Sequence, residues 1–315
     1  MHHKRLSKTR DGRAPGGWGL RFLAAALVAA LLATAASAVH ARDTDPDRCT
    51  RCHDETEDYP VLPVYKTAHA AVADERTRFG DAGCTSCHGD SADHLEDDEF
   101  YPEVTFTGDR TPVAKQNEAC LDCHKGDSHV VHWHGSDHDF AELSCASCHD
   151  IHTGHDDVLF TDTQPQVCTD CHKQQEHELR RPSRHPVPDG LMACSDCHEP
   201  HGATGSGLLK EPNINETCYS CHAEKRGPFL WEHMPAREDC TSCHQVHGSI
   251  HRGLLEVRGP QLCQQCHLDE VFGDHASRMY DRDQLGTSFA AGRNCLNCHS
   301  QVHGSNHPQG YNFRR

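Results

Sequence analysis

Ten copies of Cys-x-x-Cys-His, thirty histidines and too little apolar sequence for a core together predict the fold class. It is a multihaem cytochrome c: mostly irregular loops with short α-helices and almost no β-structure, an elongated haem wire without a conventional hydrophobic core. Cys-x-x-Cys-His is the attachment signature of a c-type haem, in which two thiols form thioethers to the vinyl groups and the adjacent histidine ligates the iron. All twenty cysteines fall within these motifs.

The thioether positions are Cys49 and Cys52, Cys84 and Cys87, Cys120 and Cys123, Cys145 and Cys148, Cys168 and Cys171, Cys194 and Cys197, Cys218 and Cys221, Cys240 and Cys243, Cys263 and Cys266, and Cys295 and Cys298. Their proximal histidines are His53, His88, His124, His149, His172, His198, His222, His244, His267 and His299. A zinc site also uses Cys-x-x-Cys, but it needs no histidine directly after every pair. A disulfide framework gives an even cysteine count without this strict grammar. The expected cofactors are ten covalently bound haem c groups, each carrying iron.

The bulk numbers suit that reading. With 36% hydrophobic and 6% aromatic residues and a mean hydropathy of -0.73, a chain this polar would ordinarily be read as disordered. Ten macrocycles supply the apolar surface that the side chains lack, so the apoprotein is expected to be largely unfolded. The formal net charge is -17. Residues 1–38 hold six Lys/Arg and one Asp, +5 in all, so the remainder sits at -22. Such a field excludes nucleic acid as a partner.

The N-terminus reads as a secretory signal peptide over residues 1–38. Lys4, Arg5, Lys8, Arg10, Arg13 and Arg21 form a basic region, and Phe22–Ala36 an apolar run. Ala36-Ser37-Ala38 offers cleavage after Ala38, and Val39-His40-Ala41 a second choice after Ala41. The run falls short of the roughly 20 residues that span a bilayer. Residues 39–315 are then an exported decahaem domain, soluble and periplasmic.

Taken in pairs, the motifs expose a longer repeat. Five two-haem repeats start near Cys49, Cys120, Cys168, Cys218 and Cys263, and the first carries an insertion. That insertion, the acidic run Asp93–Glu99 and the segment Phe100–Lys115, is expected to be a solvated loop. Within each repeat the second motif has one histidine upstream and another downstream. The upstream set is His69, His138, His185, His233 and His275, and the downstream set His94, His152, His201, His247 and His303. Ten candidates thus match ten sixth-coordination positions. His132 or His134 competes with His138, and His307 with His303. The other surplus histidines, His129, His155, His177 and His251, read as surface residues.

His244 and His247 are three apart, so on a helical turn they would share one face. Axial ligands of one iron must approach from opposite sides. The downstream histidine is therefore expected to serve a different haem from that of its own motif. Short helices should surround the motifs, between loops such as Arg181-Pro-Ser-Arg-His185-Pro-Val-Pro188. Trp133 and Trp231 are expected to pack against haem edges.

At the last repeat, Cys295-Leu-Asn-Cys298-His299-Ser-Gln-Val-His303-Gly-Ser-Asn-His307-Pro-x-Gly310, then Phe313 and Arg314, resembles the C-terminus of the MtrA/DmsE family of decahaem cytochromes. Arg181-Pro-Ser-Arg-His185-Pro-Val followed by Cys194-Ser-Asp-Cys197-His198-Glu-Pro-His201-Gly is similar to that family's mid-chain signature, and His132-Trp133-x-x-Ser136-x-His138 fits as well. The related PioA cytochromes carry a longer extension than the stretch between the cleavage site and Cys49, which favours the shorter MtrA/DmsE type.

The resemblance implies an all-bis-histidine periplasmic wire inserted in an outer-membrane porin-like β-barrel. A further extracellular multihaem cytochrome, and periplasmic or inner-membrane c-type cytochromes, would complete the path for extracellular respiration or iron oxidation. Two other function classes are weighed against this non-catalytic conduit. A freely diffusing periplasmic electron shuttle shares the ligand chemistry and lacks only the barrel. A multihaem reductase would commonly free one iron, often through Cys-x-x-Cys-Lys, and that motif is absent. No catalytic residue is expected.

Overall fold

The computed structural model describes residues 46–56, 59–70, 78–267 and 294–314. The expected signal peptide with its two candidate cleavage sites, and the candidate ligand His275, lie outside the described residues. The chain divides into two compact units, one ending at Glu103 and one running from Val104 to Arg315.

Helices are short and hug the haem motifs. The longest α-helix described, Val113–His124, carries the third motif at its C-terminal end. Gln164–Thr169 and Ile214–Tyr219 enter the fifth and seventh motifs in the same way, and Gln261–Gln264 the ninth. Pro165 at the start of one helix has its φ pre-set for that position, and Asn213 caps another by accepting the Glu216 N–H at 3.0 Å. The second motif of repeats two to five sits instead on a single 3₁₀ turn, at Cys145–Ser147, Cys194–Asp196, Cys240–Ser242 and Cys295–Asn297. In the first repeat Thr85–His88 is α-helical. Among the described residues there is no strand, only four isolated bridges.

Buried amides join the two motifs of a repeat. Asn117, 4% exposed, accepts the Cys145 N–H at 2.8 Å and donates to the Leu143 carbonyl at 3.0 Å. Asn215, 5% exposed, accepts the Cys240 N–H at 2.8 Å and donates to the Arg237 carbonyl at 2.8 Å. Each lies three residues before the first cysteine of its repeat. In the third repeat Gln164 takes this role, accepting the Ser195 N–H at 2.9 Å. Buried apolar side chains are few and scattered along the chain, from Val64 to Leu209, and the buried polar ones among them are nearly as numerous.

Neighbouring repeats are tied by antiparallel pairing. Ser183 and Ser249 exchange backbone hydrogen bonds at 3.1 and 2.7 Å, and Trp231 and Ser305 do so at 2.9 Å each. Arg181, from the Arg-Pro-Ser-Arg-His stretch, donates to Gln245 Oε1 at 2.9 Å and to the Gly248 carbonyl at 3.0 Å. Glycine is required where these segments meet. Gly202 has φ +118°, and a Cβ there would overlap the carbonyl of His132.

The first-repeat insertion is mostly exposed, as expected of a solvated loop, but parts of it are ordered. Ala92–Glu96 is helical, and His94 Nδ1 donates to the Phe100 carbonyl at 2.8 Å. In the second compact unit Val104 and Thr111 are buried, with Thr105 N–H donating to Thr111 Oγ1 at 2.9 Å. Polar partners close together in sequence order this stretch, which a count of its charges does not reveal.

Candidate haem-binding site

Histidine rings face one another in pairs across a gap. Ring centroids are 6.0 Å apart in His53–His94 and in His149–His201, and 6.5 Å in His185–His222. They are 6.2 Å apart in His138–His172, His198–His247, His233–His267 and His244–His303. A metal–imidazole bond is about 2.0–2.1 Å and a ring nitrogen lies about 1.1 Å from its centroid, so two rings on opposite sides of one metal stand about 6.3 Å apart. The gaps match that span.

Every pair joins one motif histidine to one histidine outside the motifs. The register is regular in the second compact unit. A downstream histidine faces the second-motif histidine of the preceding repeat, as His201 faces His149, His247 faces His198 and His303 faces His244. An upstream histidine faces the first-motif histidine of the following repeat, as His138 faces His172, His185 faces His222 and His233 faces His267. His94 faces His53 within the first repeat.

His138 holds this position, whereas the His132 carbonyl instead borders Gly202 and His134 lies beside Asp139. His303 faces His244, while the His307 carbonyl accepts from Trp231 Nε1 at 3.1 Å. The expected helical turn across His244–His247 does not form, because the 3₁₀ turn stops at Ser242. The two rings still reach different partners. The pairing across repeats turns them apart, not helix geometry.

Hydrogen bonding at Nδ1 orients the rings. His138 Nδ1 donates to the Pro200 carbonyl and His185 Nδ1 to the Val246 carbonyl, both at 2.8 Å. Those carbonyls belong to the residue before His201 and before His247, so one bond positions two candidate ligands. His198 and His244 donate to the carbonyls of Gly207 and Gly253 at 2.8 and 2.9 Å, and His299 bonds the Asn312 carbonyl at 2.6 Å. Such donation leaves Nε2 with its lone pair for a metal. Burial pushes His201, His233, His244, His247 and His303 below the usual imidazole range, which favours the neutral, ligating form.

The cysteines follow a second register. First cysteines of the two motifs in a repeat adjoin, thiol to thiol: Cys49 with Cys84, Cys120 with Cys145, Cys168 with Cys194, Cys218 with Cys240 and Cys263 with Cys295. Second cysteines approach across repeats, within electrostatic reach: Cys148 and Cys171, Cys197 and Cys221, and Cys243 and Cys266. These links alternate without a break from the third motif to the tenth. Trp133, buried, lies 6.4 Å from the His201 ring, near the expected haem position. Trp231 lies edge-on to Tyr311 at 6.1 Å.

Comparison with known proteins places the sequence. A family model for the doubled CXXCH motif matches residues 185–227 and 233–272, and one for NrfB-like cytochrome c-type proteins matches residues 84–165. The chain is 47% identical over 276 residues to the multiheme cytochrome MtrA of Shewanella baltica, covering 85% of this chain and 81% of that one. This chain belongs to the MtrA family of multihaem cytochromes. It is also 28% identical over 151 residues to the cytochrome c-type protein NrfB of Haemophilus influenzae, spanning 42% of this chain and 67% of that one. As an MtrA-family cytochrome it is an electron-transfer protein carrying covalently bound haem c. The donor set fits the group: paired thiols for thioethers, and imidazole pairs spaced for two axial bonds to one iron. The buried amides Asn117 and Asn215 escape a search for ligands. Asn three residues before a Cys-x-x-Cys-His is the signal that would have found them.

Proposed function

We propose that this cytochrome is a ten-haem conduit that passes electrons across the outer membrane inside a porin-like β-barrel, serving extracellular respiration or iron oxidation. The observation that carries the reading is the unbroken alternation of neighbouring cysteines from Cys120 to Cys295. Haem attached at each of these eight motifs is thereby held edge-near to the next. When bound, the haems supply reversible one-electron Fe(III)/Fe(II) chemistry.

In this reading all ten motifs carry haem, and each motif histidine has a second histidine opposite. His69, His94, His138, His152, His185, His201, His233, His247, His275 and His303 are the distal set. With every axial position filled, no iron is open to a substrate, and the protein carries electrons without catalysing a reaction. The chain's own work is to space the attachment points, orient imidazoles and keep the array rigid.

The barrel follows from solvent physics. No helix among the described residues is long and apolar enough to cross a membrane, and the chain carries a net charge of -17. Irregular backbone cannot face hydrocarbon, where unsatisfied polar groups are costly. Hydrocarbon about 30 Å thick must still be crossed. A polar-lumened barrel reconciles the two. A periplasmic location, an extracellular multihaem cytochrome at one end, and periplasmic or inner-membrane c-type cytochromes at the other belong to the same proposal.

Isolation of the native complex tests it. A co-purifying outer-membrane β-barrel, with a cytochrome whose intact mass equals the processed chain plus ten haems, is the expected result. A lone soluble cytochrome would favour the periplasmic shuttle.

A further inference from the structure

Three second-motif histidines occupy equivalent places in successive repeats, yet their Nδ1 partners differ. His198 and His244 donate to the carbonyls of Gly207 and Gly253. Both glycines sit in 3₁₀ turns nine residues on, with left-handed φ of 63° and 75°. The equivalent turn after His149 is Asp157–Leu159, and its central residue is Val158. A β-branched residue resists the left-handed conformation, and no positive φ occurs there. The carbonyl is therefore not presented. Asp156, the residue before the turn, accepts from His149 Nδ1 through Oδ2 at 2.8 Å instead. Its carboxylate is only 12% exposed, and its other oxygen accepts the Asp150 N–H at 3.3 Å, which fixes its orientation.

The facing histidines continue the trend. His201, opposite His149, has Glu199 Oε1 at 3.3 Å from its Nδ1, and His247, opposite His198, has Glu178 Oε2 at 3.4 Å. His303, opposite His244, is flanked by Lys225 and Glu224, of opposite sign. The three pairs thus carry carboxylates at both ends, at one end, and no uncompensated one.

We propose that Asp156 is a positioning residue that makes the His149–His201 haem the lowest-potential member of a graded series, followed by His198–His247 and then His244–His303. This deepens the ligation reading above and rests on it. A carboxylate hydrogen-bonded to a ligating imidazole raises the ligand's basicity and so favours the higher charge on the metal. A neutral carbonyl does so less. Low exposure preserves the effect against screening by water and salt.

The test uses the mature holo-cytochrome with Asp156→Asn, which keeps an acceptor at the same place and removes the charge. In potentiometric titrations read by protein-film voltammetry and electron paramagnetic resonance, one low-spin component leaves the low-potential edge. Its reduced-to-oxidised ratio at fixed ambient potential rises about tenfold, equivalent to about 59 mV for one electron. Haem count and spin state stay unchanged. Asp157→Asn removes an equal charge from a side chain 63% exposed that pairs with His155 rather than His149. It leaves the titration where it was. Equal shifts in both variants, or none in either, would overturn the role of Asp156. His201→Ala separates the layers. A new high-spin haem there, with no shift in Asp156→Asn, refutes this proposal alone. No high-spin haem refutes the ligation reading and this proposal with it.

Discussion

Asn215 accepts the backbone N–H of Cys240 at 2.8 Å, so a side chain on the helix entering one haem motif holds the start of the next. Asn117 does the same for Cys145 two repeats earlier. Because cysteine neighbours set haem spacing, these amides act on the spacing itself. Replacing Asn215 by Ala strands the part-buried Cys240 N–H and removes a second bond to Arg237, a cost of about 2–4 kcal/mol. Asn213→Ala, which removes only a helix cap, costs about 1 kcal/mol. Guanidinium unfolding of the holo-cytochromes is expected to rank them in that order.

A glycine substitution is expected to disturb a ligand it does not contain. Gly202 follows His201, has φ +118°, and lies against the His132 carbonyl. Gly202→Ala adds backbone strain of about 1–3 kcal/mol and pushes the His201 segment from its neighbour. The expected readout is a high-spin fraction at the His149 haem, with all ten haems still attached. Gly135 also has a positive φ, 85°, but open space around it. Gly135→Ala is expected to leave every haem low-spin.

Removing a distal histidine should expose one iron and no more. His247→Ala or His201→Ala is expected to give a single high-spin haem by electron paramagnetic resonance, whereas His251→Ala and His155→Ala give none. In the second repeat His138→Ala is expected to give the signal, and His132→Ala and His134→Ala to lack it. A signal from His132→Ala alone would reassign that ligand.

The same spectra carry a geometric fingerprint. Imidazole planes are nearly parallel in His244–His303 and His149–His201, at 13° and 15°, but cross at 66° in His138–His172. Near-parallel ligands split the iron orbitals and give rhombic low-spin signals, while crossed planes give strongly anisotropic ones with a large maximum g value. His172 is therefore expected to hold a haem of the second kind. His138→Ala should abolish one such signal.

Haem attachment was legible in the sequence because covalent chemistry demands fixed residues at fixed spacing. The candidate distal histidines were legible as a count, and their separation from their own motif as a rule. Which haem each one faces was not. That register depends on pairing between segments some sixty residues apart, such as His185 with Val246 and Ser183 with Ser249. The His244–His247 spacing suggested that the two rings serve different haems for a helical reason that the backbone does not obey. The charged first-repeat insertion read as solvated and is mostly exposed, yet its Thr111 is buried, its carbonyl accepting from Gln116 Nε2 of the next helix at 2.8 Å. Val158 in place of glycine is visible in the sequence, but its meaning emerges only once Gly207 and Gly253 are seen to present carbonyls.

Transfer across a sealed membrane tests the conduit most directly. Liposomes holding an internal redox dye are supplied with reductant outside, with the cytochrome alone, its barrel alone, or both. Dye reduction is expected only with both together. Equal rates with the cytochrome alone would contradict the need for a barrel, and no reduction with the complete complex would contradict the conduit.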